Sequence, residues 1–224
     1  MNDSQVHELD MGQRVRDLAD TRPADFPAGS RRAELLAQLR QVITEVEGYA
    51  AKQDEANLDL QEQTEQKKAA INSLLQQMRP VNQTARSIDE HLPGTADQFK
   101  MPRDSEQAIL NRARAYIVAA TPIAAEFIKR DLPATFLTDL QAAIDDVEAA
   151  GTRKSNALAN QTAATAGLRA ALKRLLAIVR DLDTAMRNLY RQDPAALAAW
   201  TSASRVEKAH RKATKKAAPP KPTS

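Results

Sequence analysis

Histidine and cysteine, which supply many metal ligands and catalytic bases, are scarce in this chain. Its 224 residues include no cysteine and three histidines, His7, His91 and His210, in three separate segments. A di-iron helical bundle needs a Glu-x-x-His motif on each of two helices, and two such motifs are not present. Without cysteine, disulfides, iron–sulfur clusters and thiol nucleophiles are excluded as well. The sequence therefore predicts no metal site and no cofactor.

Motifs for covalent catalysis and for phosphate binding are also missing. There is no Gly-x-Ser-x-Gly turn, no Gly-Lys-Ser/Thr loop and no Gly-x-Gly-x-x-Gly, and each of these normally places a nucleophile or a phosphate. An enzyme would need other polar residues to converge in a pocket. The best candidates for such a pocket lie in and near the helix predicted within 104–130. They are Arg86, Arg112, Arg114, Tyr116 and Glu126. We expect a protein that is not an enzyme, and dispersal of this set over the surface would remove the enzymatic alternative.

The C-terminal segment 203–224 is the strongest charge feature. Seven basic residues stand against one acidic residue there, a formal charge of +6, whereas the preceding 202 residues carry −3. The residues that could contact nucleic acid are Arg205, Lys208, Arg211, Lys212, Lys215, Lys216 and Lys221. Such a segment could bind phosphates without sequence preference, contact an anionic membrane, or be a solvated extension. It has no aromatic residue to stack on bases, and its composition predicts disorder.

Targeting signals are not evident. Residues 1–10 have neither a basic nor an apolar region of the kind that signal peptides carry. No run of 18 apolar residues predicts a membrane span. We therefore expect a cytoplasmic protein.

Two long helices dominate the predicted elements. An alternating spacing of three and four residues runs without a slip from Leu36 to Leu92, and again from Leu140 to Leu189. This is the periodicity of a coiled-coil seam. The first seam would form a helix of roughly 85 Å if unbroken. Pro80 is expected to kink or divide it because proline lacks the amide proton that a helix interior needs.

Both seams have apolar ends and a polar middle. Gln53, Asn57, Thr64 and Lys67 interrupt the first seam around Leu60, and Gly151, Lys154, Gln161 and Thr165 interrupt the second around Leu158. An antiparallel pair with Leu60 opposite Leu158 matches polar to polar and apolar to apolar residues. A parallel pair fits if 104–130 is one straight helix. The polar middle either fixes the register of the pair or forms a site, such as a hydrated cavity or a surface for a partner helix.

Shorter helices complete the prediction. Ser4 is expected to cap a first helix, Ser30 the first long helix, and Asp104 with Gln107 to form a capping box. Thr121-Pro122 predicts a new helix start within 104–130, and Asp193-Pro194 predicts a last helix from which Leu197 and Trp200 dock. The predicted fold is an all-α, elongated helical bundle with two long heptad-patterned helices in an antiparallel, coiled-coil-like pair. Its predicted parts are a short helix and linker (1–30), the helical bundle (31–202) and a basic disordered tail (203–224).

Several segments resemble a group of bacterial helical proteins of about this length that have no known function. The segments are 82–86, 125–128, 132–136, 179–183, 186–188, 193–194, 198–200 and 202–207. The resemblance extends from about Gln13 to Glu207. It implies a bacterial source and a helical fold, and it implies no activity, cofactor or site residue.

Function is therefore predicted from shape and charge. Two long seams without a catalytic constellation favour a non-enzymatic scaffold or protein-interaction protein, either a homo-oligomer or bound to another helical protein. The alternative is an accessory nucleic-acid-binding protein that uses the basic tail.

Overall fold

The structure is a computed structural model that describes residues 1–102 and 105–207. It contains seven α-helices in these residues: α1 (Asp3–Thr21), α2 (Arg31–Asp89), α3 (Thr95–Gln98), α4 (Glu106–Ala120), α5 (Ala124–Ile128), α6 (Phe136–Leu189) and α7 (Pro194–Ala203). Short 3₁₀ turns lie at Pro23–Asp25 and Thr121–Ile123. No strand occurs within the described residues, so the predicted all-α class is confirmed.

The chain forms two compact units, and each contains part of both long helices. Unit 1 comprises Met1–Gln53 and Ala164–Ser224, and unit 2 comprises Asp54–Ala163. The predicted division at residues 30 and 202 stays a prediction.

Unit 1 packs α1 and α7 against the first part of α2 and the last part of α6. Its core contains Val15, Leu39, Leu175 and Trp200, all fully buried. Helix α1 begins two residues earlier than a Ser4 cap requires. Asn2 is its N-cap and forms a reciprocal capping box with Gln5. The predicted Ser30 cap is present, because its hydroxyl accepts a 3.2 Å hydrogen bond from the Ala33 amide.

The two long helices run antiparallel in unit 1. Arg174 forms an ion pair with Glu45, and Gln53 Nε2 donates a 3.1 Å hydrogen bond to Thr165 Oγ1. The later residue of α2 therefore contacts the earlier residue of α6, as the antiparallel interpretation predicted. The separation of Gln53 and Thr165 also agrees with the register that sets Leu60 opposite Leu158.

Unit 2 has an aromatic core. The rings of Tyr116 and Phe127 pack edge-on against Phe99 at centroid distances of 5.1 and 5.3 Å, and Phe127 lies 5.4 Å from Phe136. The Phe99 carbonyl accepts hydrogen bonds from the Tyr116 hydroxyl and from Asn82 Nδ2. Three of the four phenylalanines and one of the three tyrosines are concentrated here, so few aromatic residues suffice for this core.

The same antiparallel direction holds in unit 2. Gln161 Nε2 donates a 3.2 Å hydrogen bond to Asn57 Oδ1, and Gly151 lies beside the Lys67 side chain. Both contacts follow the predicted register. The parallel alternative is therefore wrong.

The local predictions have different outcomes. Helix α2 continues through Pro80, so proline does not divide it. Residues 106–128 form two helices separated by a 3₁₀ turn, so the alternative of one straight helix is wrong. Thr121 is not an N-cap because its hydroxyl donates to the Ile117 carbonyl at 2.7 Å.

The predicted capping box of Asp104 and Gln107 requires Asp104 as the N-cap, whereas the N-cap of α4 is Ser105 and the helix begins at Glu106. The Gln107 side chain donates to Asn111. Asp104 lies outside the described residues.

The predicted seam of α6 is wrong at Leu158, although Gly151, Gln161 and Thr165 contact α2 as that seam requires. Leu158 is 51% exposed, whereas Ala157 beside it is 2% exposed. Alanines recur every seven residues along α6 and all are buried: Ala143, Ala150, Ala157, Ala164 and Ala171. The small methyl side chain permits a short distance between helix axes, so at this point Ala157 and not Leu158 faces the inside of the pair.

Candidate interaction sites

Few side chains are buried in the polar middle of the long helices. Within the described residues, no side chain of α2 from 47 to 73 is buried, and α6 contributes only alanines between Val147 and Leu168. In unit 2 the Asn57–Gln161 hydrogen bond joins the two helices. Lys67 adds a 2.8 Å ion pair with Glu106 at the start of α4. Polar groups thus set the register here with little apolar burial.

The outer side of α2 in unit 2 forms an acidic face. Residues 54–66 contain five acidic residues and no basic residue. Leu58 lies among them and is 69% exposed. Residues three and four apart share one side of a helix, so Asp54, Glu55 and Glu62 surround Leu58. An exposed leucine ringed by carboxylates can bind an apolar side chain flanked by basic groups.

A second candidate site lies in unit 1, between α6 and α7. We call it the arginine groove. It has a volume of about 300 Å³. The groove is lined by Val179, Arg180, Asp183, Arg187, Thr201, Ser204 and Arg205. Three guanidinium groups thus share a cavity with one carboxylate, a formal excess of two positive charges.

The single carboxylate of the groove is fully engaged. Asp183 Oδ1 accepts a 2.9 Å hydrogen bond from Trp200 Nε1, and Oδ2 accepts one of 2.7 Å from Arg187 Nε. The hydrogen bond and charge of Asp183 raise the pKa of the Arg187 guanidinium. Within the described residues, Arg180 and Arg205 have no carboxylate within 4 Å of their side-chain nitrogens. Both residues line the groove, and positively charged guanidinium groups suit an anion such as a phosphate.

One of the predicted nucleic-acid residues, Arg205, lines the groove. Of these residues, the structure describes Arg205. Lys208, Arg211, Lys212, Lys215, Lys216 and Lys221 lie outside the described residues. Arg14 of α1 holds the chain just after α7, because its guanidinium donates to the Arg205 carbonyl at 2.7 Å and pairs with Glu207 at 3.2 Å.

The residues proposed for an enzymatic pocket separate into different environments. Tyr116 is buried, and its burial raises its pKa to about 12, while the charges of Arg112 and Arg86 act in the opposite direction. Arg114 pairs with Glu148. Glu126 pairs with Lys129 and Arg130, and their hydrogen bonds hold the pKa of this carboxyl below its usual value. Arg86 and Arg112 are exposed. The set therefore offers neither a neutral carboxylic acid nor a hydroxyl nucleophile beside a base.

Sequence analysis missed most of the arginine groove. Arg180 and Arg187 are seven residues apart on α6, which places them on one side of that helix, and this spacing is visible in the sequence. The approach of Arg205 and the clamp by Arg14 join residues distant in sequence, so no local pattern predicts them.

Neither a membrane span nor a metal cluster is found in the described part of the chain. None of the helices there is long and apolar enough to cross a bilayer. No group of three or more histidine or acidic residues is arranged to hold a metal ion within residues 1–102 and 105–207. Comparisons with models of protein families, with curated proteins and with solved structures found no significant match.

Proposed function

We propose that this chain is a non-enzymatic helical interaction protein whose acidic α2 face binds a helix of another molecule. That molecule is a second copy of the chain or a different helical protein. The observation that carries the proposal is Leu58, 69% exposed in a segment with five acidic and no basic residues. Isolated exposed leucines are common, and the surrounding charge is what defines a partner, namely one with basic residues around an apolar side chain.

The arrangement of the long helices supports a coiled-coil-like mode of binding. In the polar middle of unit 2, the Asn57–Gln161 hydrogen bond joins the two helices, and no side chain of α2 from 54 to 73 is buried. A two-helix section of this kind has room for a third helix alongside it. A cytoplasmic location and a bacterial source belong to the same proposal.

Light scattering and affinity capture test this function. We expect the full chain to form a dimer or to bind a basic helical partner, and Leu58→Glu to weaken that association at least tenfold. The matched control is Val118→Glu on α4, which changes a residue that is 75% exposed away from the acidic face. A chain that stays monomeric at every concentration and recovers no partner would contradict the proposal, as would equal effects of the two variants.

A second function is favoured by the arginine groove. We propose that the groove and the basic segment after it contact nucleic-acid phosphates without sequence preference. Arg180, Arg187 and Arg205 lie together where the +6 segment begins. Such contacts release counterions, so binding must weaken steeply as salt increases.

The truncation for this test should end at Glu207. A chain that ends at Ser204 also loses the Arg14 contacts with Arg205 and Glu207, whereas a chain that ends at Glu207 keeps them. We expect DNA binding by the full chain at low salt, weaker binding at moderate salt, and a further decrease on Arg180→Gln. Arg169→Gln, an exposed arginine of α6 outside the groove, is the control. Equal DNA binding by the full and truncated chains would overturn this second function.

A further inference from the structure

A cavity of about 400 Å³ opens in unit 2 between α2 and the start of α6. Its walls include Val81, Leu132, Phe136 and Ala143, all of which are at least nine-tenths buried. The aromatic ring and aliphatic groups form a continuous apolar floor. A volume of this size is within the range that binds small organic molecules.

The polar groups around this floor are hydrogen-bond acceptors. Asp139 and Asp146 line the cavity, and neither forms an ion pair with a cation of the described residues. Gln77 also lines it, and its buried Oε1 accepts no hydrogen bond from those residues. Pro80, which has no amide proton to donate, also lines the cavity. No lysine, arginine or histidine is among the lining residues.

The spacing of the two carboxylates restricts the kind of cation. Asp139 and Asp146 are seven residues apart, so they lie on one side of α6, separated by about 10 Å along its axis. A Ca²⁺ or Mg²⁺ ion needs several oxygen ligands at 2.0–2.6 Å from one centre, which two carboxylates at this distance cannot supply. Asp139 Oδ2 accepts a 2.8 Å hydrogen bond from the Thr135 hydroxyl, and its other oxygen accepts none from a side chain of the described residues. Two carboxylates and no basic residue in the lining disfavour an anionic ligand. An organic ammonium ion can pair with one of these carboxylates while its apolar body lies on the floor of the cavity.

We propose that this cavity binds a small organic ammonium compound with an aliphatic or aromatic body. The body lies on Phe136, Val81 and Leu132, and the ammonium group donates hydrogen bonds to a carboxylate. A linear diamine of about eight carbons reaches both Asp139 and Asp146. The site is separate from the acidic α2 face and from the arginine groove, so the proposal does not depend on either proposed function.

The test uses NMR titration of the full ¹⁵N-labelled chain with 4-phenylbutylamine and with 1,8-diaminooctane at constant ionic strength. We expect chemical-shift changes at the residues around the cavity, and affinities at least tenfold higher than those of 4-phenylbutanol and 4-phenylbutyrate. Equal binding of the alcohol and the amine would overturn the proposal because the carboxylates would then have no role. Absence of binding by both amines would overturn it as well.

Two kinds of variant locate the binding. Asp139→Asn with Asp146→Asn should lower amine affinity at least tenfold, whereas the control Asp145→Asn, an exposed neighbour that does not line the cavity, should not. Ala142→Phe fills the cavity mouth without changing charge and should also prevent binding.

If either variant fails to fold by circular dichroism, the single Asp146→Asn variant gives the decisive titration. Unchanged affinity in the folded variants would contradict the assignment, as would tighter binding of a peptide with the sequence of residues 208–221, since the occupant would then be a protein segment.

Discussion

The indole Nε1 of Trp200 donates a 2.9 Å hydrogen bond to Oδ1 of Asp183, and this bond joins α7 to α6 in unit 1. Trp200 is the only tryptophan of the chain and is fully buried. The other carboxylate oxygen, Oδ2, accepts from Arg187. Asp183 therefore has a structural role in holding α7 and an electrostatic role in the arginine groove.

Removal of the Asp183 carboxylate should destabilise unit 1. Asp183→Ala leaves the buried indole N–H without its acceptor, and a loss of about 1–3 kcal/mol in the free energy of unfolding is expected. Asp183→Asn keeps an oxygen that can accept the bond and should lose less. Urea unfolding followed by Trp200 fluorescence measures both, with the exposed Asp181→Ala as the control. A loss for Asp181→Ala as large as that for Asp183→Ala would contradict this role.

Alkaline pH should weaken unit 2 through Tyr116. Burial raises the pKa of Tyr116 to about 12 from an ordinary value of 10.0, so the folded chain retains a proton that the unfolded chain releases between pH 10 and 12. The stabilisation is complete below pH 10 and is lost as the pH rises through this window, by about 1.4 kcal/mol per pKa unit.

The Tyr116→Phe variant tests this pH dependence. It removes the titrating hydroxyl and leaves the aromatic packing, so its stability should fall less steeply between pH 10 and 12 than that of the unmodified chain. At pH 7 the variant should be less stable by about 1 kcal/mol because the Phe99 carbonyl loses one of its two donors. Chemical denaturation at several pH values measures both effects. Parallel pH profiles of the two proteins would show that Tyr116 is not the responsible group.

Two helical glycines should respond oppositely to alanine. A Cβ at Gly167 would clash with Cε1 of the Tyr49 ring, whereas a Cβ at Gly48 has no neighbour within 4 Å. Gly48→Ala should stabilise the chain by roughly 0.5–1 kcal/mol through helix propensity. Gly167→Ala should destabilise it because the Tyr49 ring must move.

A double-mutant cycle isolates the Tyr49 contact. In a Tyr49→Ala background the ring is absent, so Gly167→Ala should become neutral or stabilising. The free energy of unfolding from urea titration of the four chains provides the coupling energy. A destabilisation by Gly167→Ala that is the same in both backgrounds would exclude the ring as its cause.

The sequence predicted the parts of this fold that depend on local or periodic signals. The spacing from Leu36 to Leu92 predicted the helical pattern of α2 but not its continuity through Pro80. Polar matching around Leu60 predicted the antiparallel register that Asn57 and Gln161 confirm. Asp193 was predicted as a cap, and it does accept from the Ala196 amide at 3.0 Å. These features need only neighbours three to four residues apart or a comparison of two patterns.

Other features depend on three-dimensional packing and have weaker signals. Thr121 has the sequence of an N-cap, but the preceding turn continues and offers its hydroxyl the Ile117 carbonyl instead. Arg205 reaches the arginine groove only because α7 folds back on α6. The seam was placed on Leu158 since hydrophobicity ranks leucine above alanine, although the close approach of two helices favours the smaller residue.

The burial of Ala157 in place of Leu158 provides a sharp test in neighbouring residues of α6. Ala157 is 2% exposed and Leu158 is 51% exposed. Ala157→Leu inserts three carbons between two closely packed helices and should destabilise the chain by about 1–3 kcal/mol. Leu158→Ala removes three carbons from a half-exposed position and should cost less than about 1 kcal/mol, since little apolar area is lost there. Urea unfolding of both variants, followed by circular dichroism, gives the comparison. If Leu158→Ala were the more damaging change, the seam predicted from leucine periodicity would be correct and the alanine face would not be the inner one.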